Sequence, residues 1–221
     1  MLPLLFIWIG KKFFGTKKTY CYPKLLLRRI FLIIPCILFS CKLCAQYVTH
    51  TYKVIYRNDS VGCMQLSLKS SGDTLDMKMI SRVTIKFILS VQVTGREEAK
   101  FENGRLIYSK TYREVNGSEK VNNETRAEGN IYKTSAGGTH GYIQQQRINY
   151  NFLMLYLHEP LGITSVYSDN FQKFLTIKKI AEHTYKIDLP DGNYNYYFFR
   201  NGICSKVEVH HSLYTITMLL Q

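Results

Sequence analysis

Aspartate and glutamate are absent from the first 45 residues, and that absence decides how the charge of this chain is read. The formal net charge is +13, from 29 Lys and Arg against 16 Asp and Glu. Eight of the basic residues (Lys11, Lys12, Lys17, Lys18, Lys24, Arg28, Arg29 and Lys42) fall in the acid-free stretch, so 46–221 holds 21 bases against 16 acids, a net of +5. That excess is interspersed with acids, as in Arg96-Glu97-Glu98, and no basic stripe is interleaved with stacking aromatics. Nucleic acid is therefore not an expected partner.

Signatures of metal, cofactor and nucleophilic chemistry are also missing. The six histidines (His50, His140, His158, His183, His210 and His211) include no pair at strand i,i+2 or helix i,i+4 spacing, and none sits at zinc spacing from a cysteine. His210 and His211, adjacent on a strand, point to opposite faces. There is no GxSxG, and Gly137, Gly138 and Gly141 lack the strand–turn–helix setting that cradles phosphate. Neither a metal nor a cofactor is expected, and the chain reads as a non-enzyme. Cysteine is scarce after the first 45 residues, where only Cys63 and Cys204 remain. Strand alternation places both on polar-patterned faces; two free thiols are the favoured reading and a Cys63–Cys204 disulfide the alternative, since export permits one.

What is present at the start is a targeting pattern. Lys24–Gln46 reads KLLLRRIFLIIPCILFSCKLCAQ, with Arg28 and Arg29 ahead of an uncharged run, Ile30–Cys41, of 12 residues. That is a signal-peptide layout, too short to span a bilayer comfortably. Cleavage after Ala45 is expected, with acylation of Cys41 as the competing reading. Residues 1–23 hold a second apolar patch, and no Met intervenes between Met1 and Met64, so 1–23 is expected to be a mis-annotated extension. The expected organisation is thus 1–23 extension, 24–45 signal peptide and 46–221 one β domain. The protein is expected in the periplasm or at the periphery of the outer membrane. Membrane association is expected only through the leader or a lipidated Cys41.

Period-2 alternation dominates the rest. Strands are expected at 48–57, 62–69, 74–82, 83–93, 97–102, 106–115, 119–128, 184–189, 194–199, 203–209 and 213–220. Asn103-Gly104, Asn116-Gly117, Asp191-Gly192 and Asn201-Gly202 punctuate them as hairpin turns. The expected class is mainly β: an antiparallel meander forming a curved sheet or barrel-like domain, with a signal helix before it. One short helix is expected over 149–159, with Leu153, Tyr156 and Leu157 on one face and Pro160 as its stop. Residues 133–141 read as a mobile glycine-containing loop.

Tyr156-Leu157-His158-Glu159-Pro160 with Gly162, Val166-Tyr167-Ser168, Phe174-Leu175 with Ile177, Leu189-Pro190-Asp191-Gly192 and Asn201-Gly202-Ile203-Cys204 carry a resemblance. Together they resemble an exported β-protein family of Gram-negative bacteria, domain of unknown function 6134, over about 47–220. The resemblance implies fold and location and supplies no activity.

Glu159 is the acid of most interest, beside His158 and before Pro160. It reads either as a buried carboxylate with a raised pKa or as a helix-terminal residue that orders the next loop, compensated by Lys178 or Lys179. Tyr156, Glu159, Tyr185, Tyr194, Tyr196 and Phe198 are the candidate lining of a ligand cavity. The expected function is binding of a lipid or other apolar small molecule in the curved sheet. The alternative is a structural or interaction protein of the cell envelope, with another envelope protein as its partner. A Glu159-dependent hydrolase or isomerase and an outer-membrane barrel rank behind these; charges on both strand faces count against the barrel.

Overall fold

The structure, a computed structural model, describes residues 46–86, 90–144 and 147–221. Expectations for the leader, including cleavage at Ala45 and acylation at Cys41, lie outside the described residues. From Gln46 onward the chain forms antiparallel strands, as its alternation demands: β1 (Gln46–Tyr56), β2 (Asp59–Ser71), β3 (Thr74–Lys86), β4 (Ser90–Glu102), β5 (Arg105–Val115), β6 (Ser118–Glu128), β7 (Ile131–Ala136) and β8 (Thr139–Ile143). After a connecting strap come β9 (Ser165–Ser168), β10 (Lys173–Ala181), β11 (Thr184–Asp188), β12 (Tyr194–Arg200), β13 (Ile203–His211) and β14 (Tyr214–Leu220).

All of them join one sheet in the order β8-β7-β6-β5-β4-β3-β2-β1-β14-β13-β12-β11-β10-β9. Every neighbour is a sequence neighbour except β1 and β14, which pair Tyr52 with Leu220 and Val54 with Met218. The two free edges, β8 and β9, therefore fall in the middle of the chain. The Asn-Gly turns behave as their composition predicts: Asn116 and Gly117 both take positive φ (50° and 75°), the requirement of a two-residue turn whose twist matches the strands.

The sheet curls around a core of inward side chains, among them Tyr52, Leu66, Met77, Phe101, Leu106, Tyr132, Ile187, Tyr197 and Val207. The strap between β8 and β9 lies inside the curl. Ile148, Leu153, Leu155, Tyr156 and Leu157 are buried in it, and they are apolar because they face a core on every side. The expected helix is shorter and tighter than its pattern suggested. It is a 3₁₀ turn over Phe152–Tyr156, capped by Asn151, whose side chain accepts from the Met154 amide. With Leu153 and Leu155 both buried, no single helical face is needed.

Two other expectations are corrected. Residues 133–141 are not a loop but belong to the β7–β8 hairpin, pairing Tyr132 with Ile143 and Thr134 with Gly141. The expected break between Arg82 and Val83 does not occur either. β3 runs on to Lys86 and pairs with β4 through Val83↔Val93 and Ile85↔Val91, so the alternation continues across that point.

Curling brings the β9 edge across the inner side of the opposite edge. Among the described residues no ladder joins β9 to β6, β7 or β8; side chains make the closure. Gln172 Nε2 donates to the carbonyls of Glu124 (2.9 Å) and Ser135 (3.0 Å), and Asn123 Nδ2 donates to the Asn170 carbonyl (2.6 Å). Thr125 Oγ1 and the Tyr167 hydroxyl lie 2.9 Å apart. The strap ties both sides together, with Leu106 donating its amide to Ile148 O and Tyr167 donating to Tyr150 O. The result is a roll with an open seam and an internal floor.

Candidate functional site

Register alone fixes what the inner face of β3–β6 presents. Opposite residues fall in rows across the strands: Met77–Ala99–Ser109–Thr125, then Met79–Glu97–Thr111–Asn123, then Ser81–Gly95–Arg113–Val121, then Val83–Val93–Val115. The floor below them, Phe101 and Leu106 with Tyr132, is apolar and fully buried. The Val83–Val93–Val115 row and the neighbouring Val121 are apolar too but only half-buried, and beyond them Ile85, paired with Val91, is buried again. A polar belt thus lies between an apolar floor and a valine rim that water reaches.

The belt is built from groups that the protein leaves without partners. Ser109 and Thr111 are 0% and 1% exposed, and both hydroxyls lack a hydrogen bond. Asp169, which follows β9, is 6% exposed; Asn151 Nδ2 donates to its Oδ2 at 2.9 Å, while Oδ1 is orphaned. Asn195, on the inner face of β12, donates to the Tyr197 hydroxyl (3.3 Å) and leaves its own Oδ1 without a partner. Buried polar atoms are satisfied in the great majority of cases, so several orphans on one concave surface call for an explanation.

Electrostatics points the same way. Burial pushes the Asp169 carboxyl up to about 7, against a partial opposing effect of the nearby Ser109 hydroxyl, and the Glu97 charge adds to the rise. Ser109 favours the charged form by proximity while failing the geometry of a true hydrogen bond. Glu97 is raised as well, by desolvation, with Arg113 pulling it back. Its side chain is half-buried by accessible surface yet crowded by protein atoms, the signature of a group inside a concavity that solvent can enter. Glu97 also raises the pKa of Tyr156 and Tyr197, behind their dominant desolvation, which places it facing the strap and β12 across the interior.

Of the residues singled out from sequence, Tyr156 belongs here: it is buried, and its ring packs edge-on against Tyr52 (5.4 Å) and Tyr197 (6.2 Å). Glu159 and Tyr185 form a separate cluster. Tyr185 donates its hydroxyl to Glu159 Oε1 (2.8 Å), His183 Nδ1 lies 3.0 Å from Oε2, and the Glu159 amide donates to Gly202 O (2.9 Å). Desolvation would raise the Glu159 pKa, but the bonds from Tyr185 and His183, with the Lys179 charge, bring it below the ordinary value. Of the two lysines expected to compensate, Lys179 does so; Lys178 pairs with Asp188 (2.7 Å). Such a carboxylate is a clamp on the loop after the strap, not a poised acid.

Tyr194, Tyr196 and Phe198 alternate with the inward Asn195, Tyr197 and Phe199, and so face outward. Tyr194 stacks on His210 (4.7 Å) with Lys186 Nζ 4.4 Å from its ring, and Lys206 Nζ lies 3.7 Å over Phe198. The Cys63–Cys204 bridge is not formed: both thiols are free, Cys63 exposed and Cys204 buried. The register shifts between Phe198 and Phe199, so that Ser205 is an extra residue and Cys204 turns inward, away from the face of Lys206. Glu97, Ser109, Thr111, Arg113, Asn195 and Asp169 were not found from sequence. A second bulge, opposite Lys100/Phe101, makes Ile107 the extra residue and turns Ser109, Thr111 and Arg113 inward in place of the aromatics Tyr108 and Tyr112. Among the described residues no cluster of three or more His, Cys, Asp or Glu is arranged to hold a metal.

The fold recurs in a crystal structure of a β-barrel-like protein of domain of unknown function DUF1849 from Brucella abortus. The two chains share 10% identity over 81% of this chain and 96% of that one, with a TM-score of 0.50, a likeness of fold alone. No curated protein matches the chain. The family model for domain of unknown function (DUF6134) matches residues 52–221, and the chain belongs to that family.

Proposed function

We propose that this is an exported, non-catalytic binding module of the cell envelope that holds a lipid or other apolar molecule against the concave face of its sheet. The observation that carries this reading is a half-buried apolar patch, Val83, Val93 and Val115 in one row and Val121 in the row before it, contributed by four adjacent strands above orphaned polar groups. Concave, mostly apolar sites with a few convergent polar groups are the usual form of a small-molecule pocket. Export rests on the leader pattern at Lys24–Gln46. The unjoined edges β8 and β9 weigh against a lipid-embedded barrel, where every strand edge must be paired.

A structural or interaction role is the second reading. It is favoured by the outward Tyr194, His210 and Lys186 stack and by the free edge β8 with its exposed Tyr142. Native mass spectrometry of the full chain expressed with its own leader, followed by organic extraction, separates the two. A discrete co-purifying apolar mass supports the binding module; a clean apo mass from a stable, folded protein transfers the support to the interaction role. The same spectrum reports whether the leader is removed and whether Cys41 carries an acyl chain.

A further inference from the structure

The unpartnered atoms of the polar belt are of one kind: all are oxygens. Asn195 Oδ1 and, when ionised, Asp169 Oδ1 accept, and the unpartnered Ser109 and Thr111 hydroxyls can each accept as well as donate. Glu97 makes no hydrogen bond or ion pair under 4 Å with any described residue, although Arg113 is close enough to act on it electrostatically. Glu97 and Asp169 thus act on each other across the belt, with Arg113 beside Glu97, in a setting where ionising a carboxyl is costly. A group that satisfied this belt would bring several hydrogen-bond donors and a positive charge. The rim outside it would take apolar bulk.

We infer that the belt formed by Glu97, Ser109, Thr111 and Asp169 is a seat for a protonated amine, and that the ligand is an amphiphile that enters amine first with its apolar part along Val83, Val93, Val115 and Val121. An ammonium supplies three donors and no acceptor, which matches the orphaned oxygens, and its charge offsets the cost of the two buried carboxylates. A carboxylate or phosphate head would instead set like charge beside Glu97 and Asp169 with only Arg113 in support. A hydroxyl head would fill the space with a single donor. The rows run from Ser109, through Glu97 with Thr111, past Arg113 and Val121, to Val83, Val93 and Val115, the direction of a polar head followed by an apolar chain.

This inference rests on the binding-module reading, and one experiment distinguishes the failure of each. Calorimetric titration of the full chain, below the micelle concentration of each probe, is made with dodecylamine, dodecanol and dodecanoate, which share a chain and differ in head. Dodecylamine binding about tenfold or more tighter than dodecanol, with dodecanoate weakest, is the expected result. Glu97→Gln and Asp169→Asn should each weaken dodecylamine binding about tenfold, so that its advantage over dodecanol is lost. Glu97 is half-buried and the glutamine is close to isosteric, so this variant carries the test if the Asp169 variant fails to fold. Equal or tighter binding of dodecanol or dodecanoate would overturn the amine assignment and keep the binding module. Heat from none of the three, with a folded protein by circular dichroism, would overturn both.

Discussion

Asp169 carries a consequence that needs no ligand to observe. Its carboxyl is held at about 7 against an ordinary value of 3.8, first because burial disfavours its charge and further because Glu97 faces it from β4; Ser109 from β5 and Asn151 from the strap oppose the shift. A raised folded pKa means that the native state binds the proton more tightly than the unfolded chain does. The contribution to stability is therefore full below about pH 4 and is lost as pH rises through about 7. Asp169→Asn removes this dependence, so between pH 5 and pH 8 the variant should gain on the parent by ~3 kcal/mol. Urea midpoints across that range check it, and parallel pH profiles would contradict the burial of this group. Glu159 has the opposite sign: its pKa is depressed, so its stabilisation is present above the ordinary glutamate value and fades as acid titrates the folded carboxylate. Tyr185→Phe removes one bond to that carboxylate and should lower stability by about 1–2 kcal/mol, measured by thermal melting at neutral pH. The sequence made Glu159 conspicuous through its neighbours His158 and Pro160. Its actual partners, His183 and Tyr185, lie more than twenty positions away, and no local pattern announces them.

At the scale of the strand, alternation and Asn-Gly turns announced most strands, but β9 and β10 were not anticipated. β12 was legible as a strand, yet Tyr194, Tyr196 and Phe198, expected to line a cavity, are on its outward face. β5 shows how a bulge acts, because Tyr108 and Tyr112 look like the buried parity until Ile107 is recognised as an extra residue. One inserted residue exchanges the two faces of everything beyond it. The same logic hid the inward turn of Cys204, although two free thiols are the reading that the sequence favours. The β7–β8 hairpin escaped for another reason: its strands are short, and its glycines resemble a loop until pairing with β6 fixes them. A third irregularity, between Val54 and Ile55, is matched on β2 by Gly62, where an added Cβ would lie 2.0 Å from the Arg82 carbonyl oxygen. Backbone stands in the way there, so it cannot swing aside. Gly62→Ala should therefore destabilise the fold by about 2 kcal/mol or more, read from a chemical denaturation midpoint. A neutral effect would mean that β2 and β3 separate locally at little cost.

For the domain from Gln46 onward the seam is the distinguishing feature, since thirteen neighbouring strand pairs are held by ladders, whereas the described contacts across the seam are side-chain bonds and the backbone bonds of the strap. Gln172 is its central element. It bonds two strand carbonyls at once and does so from a left-handed backbone, φ 51°, that costs a non-glycine residue roughly 1 kcal/mol. Two substitutions separate these effects. Gln172→Ala loses both bonds and keeps the strained backbone, whereas Gln172→Gly loses the bonds and relieves the strain. The alanine variant should be less stable than the parent by about 1–3 kcal/mol, and the glycine variant should recover about 1 kcal/mol of that loss. Hydrogen exchange shows whether the seam opens by itself. Faster exchange confined to β9 and to the β6–β7 region it covers, with β1–β3 still protected, would make the seam a gate that yields before the sheet does. Exchange that rises uniformly with the loss of global stability would make the roll a single cooperative unit, and a ligand would then have to enter past the valine rim.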